Sequence, residues 1–373
     1  MDKILYVTGI TRPGGAWESL RDILATLDRR AFEPLLACSA APAWSSIQRE
    51  VRDVRIGMPM WRKRKNVFRI PFAVARLRKV VASEHVAVVH ANSIWDIPYA
   101  LWAARPFRIP VVAHIRTEID RRKAQKYGTG KVDAAIATSA KCIKVLKSFS
   151  RLESRIHYVP NGANLERFDP SISGETVRRK YGFDSDTVVF GAFGRIDRTK
   201  GLDVLVSAFS EVTRKIGRAK LLLVGDIKGR GSSFKEELIR DIDSRGLSDA
   251  VLFAGWQQDV VPYLAAIDVL VMPSRIEDFG RSAVEAMAMQ NPVIASDTTA
   301  LPEIVMNGKT GYIVPVDDVT RLADSMTDLA LNRDKREAFG QAGRERAQEN
   351  FELKKLVLRI EGVYAQLIAR NKR

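Results

Sequence analysis

Val188-Val189-Phe190-Gly191-Ala192-Phe193-Gly194-Arg195-Ile196-Asp197-Arg198-Thr199-Lys200-Gly201 is the stretch on which the fold turns. Its first six residues are apolar or glycine and read as a buried strand. The next eight form a glycine-bounded basic turn, and Leu202–Lys215 then shows the spacing of an amphipathic helix. Glycine lets a backbone approach a ligand closely, a helix N-terminus attracts anions, and Arg195 and Lys200 add fixed positive charge. That combination suits a diphosphate; the plainer reading is a solvated basic loop. It is not a dinucleotide fingerprint, because the three-glycine spacing and the acidic ribose ligand are both missing.

Working outward, the same alternation repeats. Strands are expected at 220–224, 251–253, 269–272, 293–295 and 312–314, with helices at 234–245, 260–266 and 282–289. Before residue 165, strands are expected at 3–8, 35–39, 86–90, 111–114, 134–138 and 156–159. Helical patterns cover 17–27 and 72–82, with Pro71 suited to a first turn. Residues 334–373 read as helical. Strands alternating with helices imply two α/β domains with parallel, doubly wound, Rossmann-like sheets. The expected division is 1–165, 166–350 and a C-terminal helix over 351–373. Such sheets bind ligands beyond the carboxyl ends of their strands, so two facing sheets would put the site in the cleft between them.

A second constellation follows the strand at 269–272: Pro273-Ser274-Arg275-Ile276-Glu277-Asp278-Phe279-Gly280-Arg281-Ser282-Ala283-Val284-Glu285. Glu277 falls in a strand-to-helix loop and Glu285 one to two turns into the helix. Both carboxylates can bridge sugar and ribose hydroxyls, while amides near Phe279-Gly280 can hold an anion or a sugar oxygen. The alternative is a loop charge and a surface helix residue. In the first half, Gly14-Gly15 separates a strand from a helix, and His114 ends a buried strand, with Arg116 and Glu118 following. His90 and Asn92 end the neighbouring strand. Asp241-Ile242-Asp243 has the look of a metal motif, but a helix points those two side chains apart.

The 373 residues contain 60 Lys+Arg against 44 Asp+Glu, for a net charge of +16. All of the excess lies within the first 165 residues; the remainder balances. Two clusters stand out: 49–79, which contains Trp61-Arg62-Lys63-Arg64-Lys65, and 116–131. A helix over 72–82 would carry Val74, Leu77 and Val81 on one stripe with basic residues around it. This pattern suits either an anionic membrane surface or an ordinary core-facing helix. The composition excludes disorder and disulfide scaffolds, and two cysteines favour a reducing compartment. No apolar run approaches the roughly 18 residues of a membrane span, and the first residues read as a strand rather than a signal peptide.

Taken in order, Gly194-Arg195…Lys200-Gly201, Val251-Leu252-Phe253-Ala254-Gly255-Trp256, Glu277…Glu285 and Leu301-Pro302-Glu303-Ile304-Val305-Met306-Asn307-Gly308-Lys309-Thr310-Gly311-Tyr312 resemble the family 4 (group 1) glycosyltransferases. The likeness is strong over 188–320 and weaker through Gly14-Gly15, His90-Ala91-Asn92 and Val112-Ala113-His114. It implies a two-domain GT-B fold whose last helix returns to the first domain. It also implies metal-free, cofactor-free transfer of a sugar from a nucleotide diphosphate, favoured here as a UDP-sugar, with retention of configuration.

By resemblance, Arg195 and Lys200 neutralise the diphosphate, Glu285 holds the ribose, Glu277 contacts the transferred sugar with Phe279, Gly280 and Arg281 beside it, and Trp256 lies near the base. His114 would stand beside the sugar and acceptor, with Gly14 and Gly15 completing the donor site. Trp61, Arg62, Lys63, Arg64, Lys65 and Arg116 would face a glycan or lipid-linked acceptor. The resemblance thus places the protein in the cytoplasm, peripherally on the inner membrane, in cell-envelope polysaccharide synthesis. Glu118 or Asp120 would suit an inverting reaction, so stereochemistry rests on the resemblance. A nucleotide-sugar epimerase of the same fold is the alternative, and nucleic-acid binding is the disfavoured one.

Overall fold

The computed structural model describes residues 1–9, 14–39, 51–59, 61, 64–226 and 232–372. These form two compact units, 1–161 with 353–373, and 162–352. Each is built on its own parallel sheet. In the first, β1 (Asp2–Thr8), β2 (Phe32–Cys38), β3 (Arg52–Arg55), β4 (Val86–Ala91), β5 (Val111–Ile115), β6 (Ala134–Ala137) and β7 (Ile156–Tyr158) lie in the order β3-β2-β1-β4-β5-β6-β7. In the second, β8 (Val188–Phe193), β9 (Ala219–Val224), β10 (Val251–Gly255), β11 (Val269–Met272), β12 (Val293–Ser296) and β13 (Gly311–Val314) are ordered β10-β9-β8-β11-β12-β13. The strand order reverses between β1 and β4 and again between β8 and β11. In doubly wound sheets that reversal opens a crevice at the carboxyl ends of the central strands. Central strands are buried on both faces, which explains their near-continuous apolar runs.

β3 is a strand that periodicity did not reveal. Its Arg52-Asp53-Val54-Arg55 carries three charges in four residues, and it lies at the sheet edge. Arg52 pairs with Glu84 at 2.9 Å and Arg55 with Asp53 at 3.4 Å. Charged edges of this kind discourage pairing with a further chain.

The helix over Ile70–Ser83 buries Ile70, Ala73, Val74, Leu77 and Val81 in the first unit's core. The stripe weighed above as a membrane face is therefore a core face. Phe68 and Phe72, 84% and 74% exposed, project outward with Arg69, Arg76 and Lys79.

The C-terminal stretch is two helices, Arg333–Asn350 and Leu353–Asn371. The first is held in the second unit by Arg344, which donates to Phe168 O and Ala288 O, and by Arg346, which donates to Glu303 O and Ile304 O. The second joins the first unit, where Leu356, Val357, Ile360 and Tyr364 pack with Trp17, Leu20 and Ile23. Its Tyr364 hydroxyl donates to the Tyr6 hydroxyl at 3.0 Å and lies 2.6 Å from His90 Nδ1, tying the helix to β1 and β4. Among the described residues, no helix is long and apolar enough to cross a membrane.

Candidate active site

In the second unit the chain leaves β8 at Gly194 (φ +140°) and meets Gly225 (φ +144°) at the end of β9. A Cβ on Gly225 would lie 1.7 Å from the Gly194 carbonyl oxygen, so only glycine permits this contact. Asp197 accepts from Thr199 N at 3.0 Å and shapes the Arg198–Lys200 turn. Gly201 (φ +63°) then presses against Pro273, where a Cβ would lie 2.0 Å from the carbonyl oxygen. These close approaches bring the turn after β8 against the loop after β11. A shallow cavity of about 20 Å³ between them is lined by Gly194, Arg195, Lys200, Pro273 and Ser274.

Lys200 is ion-paired with Glu277, and both side chains are largely buried. Ser274 Oγ lies 3.4 Å from the same carboxylate. The two residues read from separate motifs therefore meet at one point. Arg195 stays half exposed, 3.3 Å from Asp197. Arg275, to which no role was assigned, anchors the loop: it donates to both Asp203 oxygens at 2.9 and 2.8 Å and to Asp317 at 2.7 Å. That bidentate pair holds the Asp203 carboxyl below its ordinary range, against the opposing effect of burial.

Phe279 is buried edge-on to Phe351, so it offers a ligand backbone rather than a ring. Gly280 (φ +100°) precedes the helix Arg281–Ala288, where Arg281 and Glu285 pair at 2.9 Å one turn apart. Trp256 is 56% exposed just past β10. Residues 301–312 build a turn, with Asn307 Oδ1 accepting from Ile313 N and Thr310 Oγ1 from Met306 N. Asp241 and Asp243 serve Arg245 and Ser248 separately.

In the first unit, Gly14 caps the helix Gly15–Thr26, accepting from Trp17 N and Glu18 N. Arg116 requires a correction. It was grouped with an acceptor-facing basic surface, yet it is buried, and its guanidinium is committed to neighbours. Nε donates to Asn92 O (3.2 Å), Nη1 to Ser19 Oγ (2.6 Å) and Asn161 Oδ1 (2.8 Å), and Nη2 to Asn92 Oδ1 (3.1 Å). Nη2 also lies 3.1 Å from His114 Nδ1. This one residue ties the carboxyl ends of β4, β5 and β7 to the first helix. Period-two spacing foreshadowed it: His90 and Asn92 share one side of their strand, as do His114 and Arg116. Counting Arg116 as part of a charge cluster hid that pattern.

Beside it lie three buried polar atoms with no partner among the described residues, His90 Nε2, Asn92 Nδ2 and His114 Nε2. Buried polar atoms are rarely left unpaired except where a ligand completes them. Burial and the nearby Arg116 charge hold both histidines neutral: His90 falls to about 3 and His114 well below its ordinary value.

Sequence reasoning also missed Asp96, which is fully buried. It accepts from Gly9 N at 2.8 Å and Ser93 Oγ at 2.6 Å, joining the segments that follow β1 and β4. Burial lifts its carboxyl to about 6. Of the basic run, Trp61 is partly buried, Arg62 and Lys63 lie outside the described residues, and Arg64 and Lys65 open a short 3-10 turn with their side chains outside the description.

Two family models match: "Glycosyltransferase Family 4" over residues 13–167 and "Glycosyl transferases group 1" over 173–346. The chain is 28% identical over 314 residues to the lipopolysaccharide core biosynthesis mannosyltransferase LpcC of Rhizobium leguminosarum bv. viciae, covering 84% of each chain. It is 29% identical over 245 residues to the corresponding LpsB of Rhizobium meliloti, covering 65% of this chain and 68% of that one. Among solved structures, Anabaena Alr3699/HepE in complex with UDP and glucose superimposes with a TM-score of 0.85 at 21% identity, over 98% of this chain and 100% of that one. The fold is thus that of the GT-B glycosyltransferases, and with both halves matched the chain belongs to the family 4, group 1 glycosyltransferases, enzymes that transfer sugars.

Proposed function

We propose that the protein transfers a sugar from a nucleoside-diphosphate donor to a hydroxyl of an anionic or lipid-linked glycan, with retention of configuration. The observation that carries the reading is the meeting of Lys200 with Glu277 at the turn after β8, with Arg195 beside it. When the glycosidic C–O bond breaks, negative charge develops on the departing β-phosphate. Arg195, already half exposed beside the cavity, and Lys200, once turned from Glu277, then act on that charge. Glu277, neutralised at rest by Lys200, is released toward a sugar hydroxyl as the lysine turns to phosphate. Glu285 exchanges Arg281 for ribose hydroxyls in the same way.

In a front-face transfer the acceptor hydroxyl bonds to the anomeric carbon as the phosphate oxygen leaves. That oxygen takes the acceptor's proton, so no side-chain base is needed. His114, neutral, contributes one N–H to the sugar. Arg195 and Lys200 supply the positive charge at the diphosphate, and the reading gives a metal no part.

UDP is the favoured base carrier, in keeping with the UDP bound by Alr3699/HepE. The names of the Rhizobium relatives favour a second reading, a mannosyl donor. Thermal shift against UDP, GDP, ADP and their sugars tests both. A bound nucleotide at 100–1,000 times its Kd should add about 3–4 kcal/mol of stability. No shift with any of them overturns the donor site, and an inverted anomeric signal in the product overturns retention.

The proposed acceptor side is the first unit, whose residues 1–161 alone carry a net charge of +16. Phe68 and Phe72, outward among Arg69, Arg76 and Lys79, support peripheral attachment to an anionic leaflet, to which each cation contributes about 1 kcal/mol. Equal sedimentation with neutral and anionic vesicles would rule this out.

A further inference from the structure

The first unit contains a second concavity that shares no residue with the Arg116–His114 cluster. It encloses about 250 Å³ between the helix Ile97–Ala104 and the turn after the helix Arg121–Lys126. Pro98, Leu101 and Trp102 line it from one face of that helix, and Arg105 from the start of the 3-10 turn that follows. Trp61 lies edge-on to Trp102, ring centroids 4.9 Å apart at 90°, and 4.9 Å from Tyr99. Tyr127 completes the aromatic wall. Gly128 (φ +77°) carries the chain across the floor, where a Cβ would lie 3.0 Å from Leu101 Cδ1. The indole Nε1 of Trp61 is buried with no hydrogen-bond partner among the described residues.

Its charge is one-sided. Arg105, Lys126 and Lys131 line the concavity, are exposed, and form no ion pair among the described residues; Lys126 lies 6.0 Å from the Tyr127 ring. Among the described residues no carboxylate lines it. Exposed cations such as Arg69, Arg76 and Lys79 also form no ion pair among the described residues; what sets Arg105, Lys126 and Lys131 apart is that all three line one aromatic-walled concavity. Three unpaired cations around an aromatic wall form a site short of its anion.

We infer that this concavity binds a phosphorylated sugar residue. The apolar C–H face of a pyranose lies against the indole and phenol rings, as large rigid aromatic surfaces favour. Its phosphate ester takes the charge-assisted hydrogen bonds of Arg105, Lys126 and Lys131. About 250 Å³ accommodates one sugar with its phosphate. The inference rests on the proposed glycan acceptor for what brings such a ligand to the surface: the site would hold a phosphorylated residue of that acceptor some distance from the reacting hydroxyl.

Calorimetric titration of the full chain with mannose 6-phosphate, mannose and inorganic phosphate tests this, in the wild type and in R105E/K131E and W102A. These substitutions are on exposed side chains, and an unchanged melting temperature verifies folding. Mannose 6-phosphate should bind the wild type and lose affinity by about tenfold or more in each variant, while mannose gives no signal. Absent binding, or binding unchanged in the variants, overturns the proposal. Inorganic phosphate binding as tightly as mannose 6-phosphate overturns the sugar part. Phosphatidylglycerol vesicles separate the other source of phosphate. If R105E/K131E loses vesicle binding and keeps mannose 6-phosphate, the face serves lipid and the proposal falls. The UDP thermal shift, run on the same samples, reports on the donor site alone, so failure of either reading is recognisable.

Discussion

Arg116 sets the tautomer of His114. Its Nη2 lies 3.1 Å from Nδ1, and a guanidinium has no lone pair to offer, so Nδ1 must accept and the imidazole proton must sit on Nε2. The Nε2–H is thereby a donor with no partner among the described residues, held on a neutral ring at the carboxyl end of β5. Asparagine at 114 can accept from Arg116 but does not reach the Nε2 position, whereas glutamine can supply an N–H there. H114N should therefore lose roughly 10²–10³ in kcat, and H114Q should retain clearly more. Steady-state rates for the two variants decide it; equal losses would remove the donor role.

Arg116 itself holds Ser19, Asn92, Asn161 and His114 together, so Arg116→Met leaves several buried polar groups without a donor. About 3–5 kcal/mol of stability should go, measured by urea unfolding. A loss under 1 kcal/mol would mean that water replaces the guanidinium.

Both buried histidines are held neutral, with folded values below the ordinary 6.5. Below 6.5 the unfolded chain therefore takes up protons that the folded chain refuses. Stability should be complete above that pH and should fall as the pH drops toward His90's value of about 3. H90Q and H114Q should each flatten the slope in thermal unfolding between about pH 6 and 4.

Asp96 has the opposite sign. Its carboxyl is raised from 3.8 to about 6, so the folded state binds the extra proton and stability declines as pH rises through that window. Above it the buried charge costs roughly 3 kcal/mol. Asp96→Asn keeps one acceptor for Gly9 N, and the Ser93 hydroxyl can turn from donor to acceptor. The variant should be more stable than wild type at neutral pH, with the gain vanishing near pH 4. A gain independent of pH would contradict the assignment.

Lys200 and Glu277 are buried partners, so removing one strands the other. K200A should lose about 3 kcal/mol, and K200A/E277A should recover much of it. Nucleotide-induced thermal shift should be absent from both, since the double variant restores packing but no cation. Recovery of the shift with stability would detach Lys200 from the donor.

Much of this architecture was readable from local patterns. β8 and β11 matched the observed residues, because a buried parallel strand is a short apolar run closed by glycine or proline. The helix 202–215 matched as well, since its apolar stripe repeats at 3.6 residues. β3 escaped notice because a charged edge strand has no apolar signature. The helix 70–83 was ambiguous, since one stripe serves a core or a membrane equally well until its neighbours are known.

The chain's alternation of strand and helix, its glycine turns, its basic Arg195–Lys200 motif and its Glu277–Glu285 motif are local properties; they established the fold class and carried the resemblance to the family. Which charges are available is not local. Lys200 and Glu277 are 77 positions apart, and Arg116 lies inside the sheet's carboxyl edge rather than on the basic face where composition had put it. A charge's function depends on its desolvation and its partner, and both are set by elements distant in sequence. The +16 excess is thus at least two things: a buried guanidinium that organises His114, and an exposed set around Trp61 and Trp102 with no counter-charge among the described residues.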